Sequence, residues 1–419
     1  MTSAARPDPQ GPDPRPNDSQ AHHPHAADPH AADPHAVDRR PVRPMRARSR
    51  DEAHRVATPL ELFFDLCFVV AVAQAGRELA HALAGGHPGH GLYGYVLVFF
   101  AIWWAWMNFT WFASAYDVDD VPYRLTTLVQ ISGVLVLAAG VPRMFDEDLT
   151  LAVCGYLLMR LAMVTQWLRA ARCESGGTRT MALRYAVGIT VCQLGWTLLL
   201  FVPHDVRPYL IPVLILAELA VPPIAEAHTQ STWHPHHIAE RYGLFTIIVL
   251  GETVAAATVA MQTAMDEHEA LGELMPIAAG GLLICFGAWW IYFAEPVHHH
   301  LRSNRQAFLW GYGHYLVLGS AAAVGAGLEV AIEYAVGKAH ISAYAATAAV
   351  TLPAALYLLT VWALHSRHVK QGAAQAVLPL SAAAVAACTA LGGHGVLAAG
   401  LVIAATVATG TTLAAKASH

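Results

Sequence analysis

The sequence predicts an all-α, polytopic integral membrane protein with about twelve transmembrane helices of about 20 residues each. Three observations carry this. Of 419 residues, 55% are hydrophobic and only 13% charged, whereas a soluble chain carries about 25% charged residues. Long apolar runs recur from Leu60 to the end, separated by short polar loops. Those runs are continuous and do not alternate in polarity over about ten residues, which argues against a transmembrane β-barrel.

Taken in order, residues 1–55 are rich in Pro, Ala, Asp, His and Arg and repeat PHAAD between Pro24 and Asp38. They show no apolar periodicity and are expected to be a disordered cytoplasmic tail. The apolar core of a signal peptide is absent from them. His22, His23, His25, His30 and His35 read as solvated side chains, because a flexible tail lacks the fixed geometry of a metal site. Six spans then follow at roughly 60–84, 92–113, 122–141, 149–168, 183–203 and 208–225. Six more follow at roughly 238–262, 274–294, 306–336, 342–365, 374–391 and 395–415. The last two are rich in Ala, Val and Gly without interior charges, as packing elements are.

Arginine placement orients the chain. Arg169, Arg172, Arg179 and Arg184 follow the fourth span, Arg302 and Arg305 the eighth, Arg367 and Lys370 the tenth. The opposite loops offer Arg143, Arg207 and Lys338. The positive-inside rule then places both termini in the cytoplasm, with the chain in the cell membrane. The six cysteines are scattered without a CxxC pair, and read as buried apolar residues. No basic stripe interleaved with aromatics points to nucleic acid. No HExxH, GxSxG or phosphate-loop motif points to an enzyme, and nothing calls for a cofactor.

Two stretches recur at an offset of about 180 residues. The first span begins ELFFDLCFVVAVA at Glu61 and the seventh ERYGLFTIIVLGE at Glu240. The second carries FAIWWAWM from Phe100 and the eighth FGAWWIYF from Phe286, each followed by an arginine, Arg124 or Arg305. The expected organisation is a tandem repeat of six helices, 56–230 and 231–419, related by an axis along the membrane normal.

The chemistry concentrates in a few intramembrane polar residues. Glu61 lies one helical turn before Asp65. Thr58, Pro59 and Glu61 fit a capping box, which accounts for Glu61 as readily as a function does. Asp65, between Phe64 and Leu66, needs a partner or water. Glu252 is expected near the bilayer midplane, with Gly251 letting a neighbouring helix approach. Asn108 and Arg124 are the expected neighbours of these acids, Arg124 as counter-ion to Asp65 or to Asp117, Asp119 and Asp120. Glu218, His314, Glu329 and Glu333 are further polar residues within or bordering spans. The histidines of WHPHH (233–237) and HHH (298–300) lack a ligand spacing typical of zinc.

With TPLELFFD (58–65) and HIAERYGLFTIIVLGE (237–252) on the page, the chain resembles the bacterial low temperature requirement A family. The resemblance covers most of the chain from about Thr58 to Ala415 and is supported by Trp103–Trp104, Asp119 to Arg124, and Trp289 to Phe293. It implies a multi-span membrane protein associated with growth at low temperature, without implying a reaction. The positions it matches are Glu61, Asp65, Arg124, His237, Glu240, Arg241 and Glu252; Glu295 departs from the family pattern by one residue.

Two functions compete. The first is a transporter or channel-like permease for an ion or small solute, with a path lined by Asp65, Glu252 and Glu61 and Arg124 as counter-ion. The second is a non-transporting, bilayer-sensing protein whose polar residues lock helices together among membrane lipids.

Overall fold

The fold begins where the capping signal stands. Thr58 Oγ1 accepts from Glu61 N at 3.3 Å, and Glu61 Oε2 accepts from Thr58 N at 2.8 Å, with Pro59 opening the helix. In this computed structural model, which describes residues 41–50, 52, 55–268, 271–301, 303–367 and 369–417, no strand occurs among the described residues. The long helices are α1 (Pro59–Ala84), α2 (Pro88–Tyr116), α3 (Val121–Phe145), α4 (Thr150–Cys173), α5 (Gly176–Leu199) and α6 (Arg207–Ala225). There follow α7 (Pro235–His268), α8 (Leu271–Phe293), α9 (Asn304–Ala335), α10 (Ala343–Val361), α11 (Val377–Ala387) and α12 (Gly395–Ala417). Among the described residues, eleven helical stretches are long and apolar enough to cross a membrane. The protein is an all-α, multi-pass membrane protein.

The last stretch, Val377–Lys416, resolves into the two helices expected there, on either side of Gly392, although the first is shorter than a full span. It is 40 residues long but turns at Gly392, whose φ of +54° is left-handed and suits a residue without Cβ. α11 and α12 therefore fold back onto each other. α11 itself has 11 residues, about 16 Å of rise, and reaches Gly392 through the tighter 3-10 turn Cys388–His394.

Neighbours follow a regular order. α1 packs on α3 and α7 on α9; α3–α4, α4–α5 and α5–α6 are in contact, as are α9–α10, α10–α11 and α11–α12. α1 also packs against both α7 and α9, so Pro41–His419 is one compact unit. Burial ranks the helices. In their most apolar windows α2 and α9 are 78% buried, whereas α6 is 28% buried and carries Tyr209 and Leu216 on its outer face. Apolar side chains left outside a membrane bundle meet lipid, so this exposure costs nothing. Trp103, Trp104 and Trp106 of α2 are core residues, not members of an interfacial belt; Trp289 and Trp290 of α8 are half-exposed.

Two expectations change here. The tail was expected to lack structure up to residue 55; residues 1–40, 51, 53 and 54 lie outside the described residues, but 41–50 run as an irregular segment across one end of the bundle, with Met45 fully buried. The close approach expected at Gly251 does not occur, since a Cβ there would meet nothing within 4 Å. The tight contacts lie elsewhere: a Cβ on Gly327 of α9 would stand 2.0 Å from the Ala349 carbonyl oxygen of α10. That clash is with backbone and no rotamer relieves it.

Gly327→Ala is therefore expected to destabilise the protein by about 1–3 kcal/mol through overpacking. Gly251→Ala, with open space and a helix-favouring residue, is expected to be neutral or stabilising by up to about 1 kcal/mol. Thermal unfolding of both variants in detergent checks the contrast.

Candidate functional site

Two polar layers lie along the α1, α7 and α9 core. The first is dry. Glu61 and Asp65 on α1 face His237 and Arg241 on α7, each pair one turn apart and each matched across the interface by the same separation of 176 residues. Arg241 Nη2 donates to Asp65 Oδ1 at 2.5 Å and Nε to Oδ2 at 3.2 Å, a two-point grip that guanidinium geometry favours. Trp106 Nε1 of α2 donates to the same Oδ1 at 2.7 Å. Arg241 Nη1 lies 2.9 Å from Glu61 Oε1, and His237 Nε2 lies 3.2 Å from Glu61 Oε2. All four charged or titratable side chains are fully buried. Two carboxylates face one permanent cation, so a proton on His237 or on one acid balances the cluster.

The second layer is an open cavity of about 270 Å3. Arg77 of α1, Glu252 of α7, Glu329 and Glu333 of α9, and Lys338 supply its charges, set among Ala256, Val259 and Ile332. A narrower pocket beside it shares Arg77, Glu252 and Glu329 and continues inward to Val72 and Val249. Glu252 stands eleven residues beyond Arg241 on α7, about 16 Å of rise. Buried Phe68, Val72, Phe245 and Val249 occupy the intervening level. Asp65 and Glu252 therefore belong to different environments, and the shared carboxylate path expected for them is not the arrangement found.

The remaining expected site residues stand apart. Arg124 is not the counter-ion of Asp65: it is exposed in the first turn of α3 and grips Asp119 of the preceding loop, with Nε–Oδ1 at 2.7 Å, because an acid five residues away closes more readily than one buried in the core. Asn108 turns back on its own helix, donating to the Trp104 carbonyl at 2.7 Å. Glu240 Oε2 accepts from Ala57 N at 3.2 Å, tying the entry of α1 to α7. His314 lies away from the cavity, with Nδ1 2.8 Å from the Trp310 carbonyl oxygen and Nε2 3.0 Å from Tyr292 Oη. Glu295 reaches Lys370 at 3.7 Å.

The reading of the residues missed one buried pair. Arg160 Nη2 of α4 donates to Glu218 Oε2 of α6 at 3.0 Å, and Trp104 Nε1 donates to the same oxygen at 2.8 Å. The signal was present as a lone arginine and a lone glutamate in two apolar spans, which can be buried cheaply only if they meet. Arg77 was overlooked as well, although its place late in the first span puts it level with Glu252.

In the loop after α2, Asp117 is 3% exposed, and burial, followed by the charge of Glu61, pushes its carboxyl up to about 6. Neighbouring Asp120 moves the other way: burial raises it, but Arg169 and the amides of Arg43 and Tyr123 outweigh that and hold it low.

Two outcomes follow from these charges. Arg241→Gln strands two buried carboxylates and is expected to cost about 3–5 kcal/mol, whereas Arg124→Gln, at an exposed and solvent-screened pair, is expected to leave stability essentially unchanged. Chemical unfolding in detergent checks this. For Asp117 the folded protein holds its proton to higher pH than the unfolded chain, whose aspartates titrate near 3.9. Its ionisation therefore removes stability as pH rises from about 4 to about 6. Asp117→Asn is expected to gain melting temperature relative to wild type across that window and to hold a constant difference above it.

Comparison with known proteins places the chain in a family. An uncharacterized protein of Rhizobium meliloti (strain 1021), RA0937, is 29% identical over 296 residues, covering 66% of this chain and 70% of that protein. The sequence profile described as bacterial low temperature requirement A protein (LtrA) matches residues 56–415, from two residues before the α1 cap into α12. The chain belongs to the bacterial low temperature requirement A family.

Proposed function

We propose that the protein is a permease in which α1, α7 and α9 line the path for an ion or small solute, and that this activity underlies a role in growth at low temperature. One observation carries the reading: the open cavity between these three helices, with Glu252 inside it and Arg77, Glu329 and Glu333 around it. A helix contact needed only for packing would be filled with apolar side chains, and charges at this depth are retained where water or a solute reaches them. The path is assigned to Glu252, Glu329 and Glu333, and Asp65 and Glu61 are assigned to the lock beside it. The neighbour order of the helices supports two six-helix units, α1–α6 and α7–α12, with α1, α7 and α9 at their junction. Arginine-rich loops orient the capped start of α1 toward the cytoplasm and the cavity toward the outside.

The test is proton flux in proteoliposomes, read by an entrapped pH dye under a potassium diffusion potential. Wild type is expected to exceed empty vesicles. Glu252→Gln is expected to cut the rate by at least about tenfold, the factor carried by about 1.4 kcal/mol of barrier, while Arg124→Gln keeps the wild-type rate. Wild-type vesicles indistinguishable from empty ones would favour the bilayer-sensing alternative.

A further inference from the structure

The segment before α1 does more than lead into the first helix. Residues 41–50 cross the end of the bundle where the α2–α3, α4–α5 and α6–α7 connections gather. Arg43 N donates to Asp120 Oδ2 at 2.8 Å, and Arg169 Nη2 of α4 donates to the Arg43 carbonyl at 2.9 Å. Ala47 N donates to Glu174 Oε1 at 2.7 Å, at the end of α4. Arg48 N donates to the Ala115 carbonyl at 2.9 Å, in the last turn of α2. The Arg50 guanidinium stacks 4.4 Å from the Trp233 ring centroid in the α6–α7 connection. One segment thus bridges three separate helix connections.

The bundle beneath it is unusually polar. Asp117 Oδ2, Tyr116 Oη and Tyr123 Oη are buried and have no hydrogen-bond partner. Buried polar atoms are nearly always bonded, to protein or to ordered water, so such atoms at Asp117, which the segment touches through Arg48 Nη1, mark a place that water enters. The segment's hold is of the kind that releases. Apart from the stacking of Arg50 on Trp233, the links named above are hydrogen bonds, which exchange for water at little net loss, and the fully buried apolar anchor of the segment is Met45. Because the links go to different helix ends, relative movement of those ends breaks them together.

We propose that residues 41–50 form a gate: a strap that closes this end of the bundle and lifts to admit water to the polar group around Asp117, outside the dry Glu61–Asp65 layer. Its role in transport rests on the permease reading, but its opening and closing do not. Glu174 is the link to cut, because its side chain serves the strap from outside the helix core.

The test is labelling of the full chain in nanodiscs by a membrane-impermeant maleimide, read site by site by mass spectrometry. Met45→Cys reports the strap, Asp117→Cys the polar group, and Arg124→Cys the exposed reference. Both reporters are expected to react at least about tenfold more slowly than the reference, as sites that react only through local opening do. Adding Glu174→Ala is expected to accelerate both, and Glu174→Gln, which retains the acceptor oxygen, to leave both slow. Met45→Cys reacting as fast as the reference would overturn the strap. Acceleration at Met45→Cys without acceleration at Asp117→Cys, or at neither, would overturn its action as a gate. Failure of the flux assay would remove the permease reading while these rates still decide the gate.

Discussion

The architecture depends on the buried grip of Arg241 on Asp65. A carboxylate and a guanidinium withdrawn from water are tolerable only if each finds the other and the remaining lone pairs and protons are served. Here Trp106 takes a further position on Asp65, and Glu61 and His237 complete the cluster. The cost of losing either partner fixes α7 against α1 at a single register. Once α1, α2 and α7 are tied at this level, the continuation of α1 and α7 toward the opposite end sets the distance between Arg77 and Glu252, which Glu329 of α9 joins. The cavity is thus a consequence of where the lock lies, and not part of it.

The two layers divide the labour of charge in a way that composition alone does not reveal. In the first, every charged side chain is fully buried and answered by an opposite charge or a hydrogen bond, and packing excludes water. Arg160 and Glu218 form a second lock of the same kind between α4 and α6. In the second, three carboxylates, an arginine and a lysine share an open space. Locks resist motion and open charged spaces accommodate something that moves, which is why the permease reading rests on the cavity and not on the better-formed ion pairs.

Much of this was legible in the chain. The capping box at Thr58 and Glu61 stands as the local pattern implies, because a cap depends on residues three apart and on little else. Asp65 announced itself by its cost. Its partner was harder to find, since Arg124 and Arg241 are equally plausible cations until packing chooses. The deciding clue was spacing: His237 and Arg241 repeat the one-turn interval of Glu61 and Asp65, so two parallel helices can match both pairs at once. The strap was illegible for a different reason. Its bonds run from main-chain donors to loops far along the sequence, and such contacts leave no periodicity to read. The turn at Gly392, by contrast, falls at the break expected between the last two apolar runs.

The division between a dry lock and a wet cavity is open to direct measurement by hydroxyl-radical footprinting of the protein in nanodiscs, which modifies side chains that water reaches. Expected is modification of the cavity segment of α7, at Glu252 and Val259, with Phe64 and Phe68 beside the lock unmodified despite the high reactivity of aromatic rings. Modification of Phe64 and Phe68 at the level of the α7 segment would show water at the Asp65–Arg241 pair and contradict the separation of the two layers.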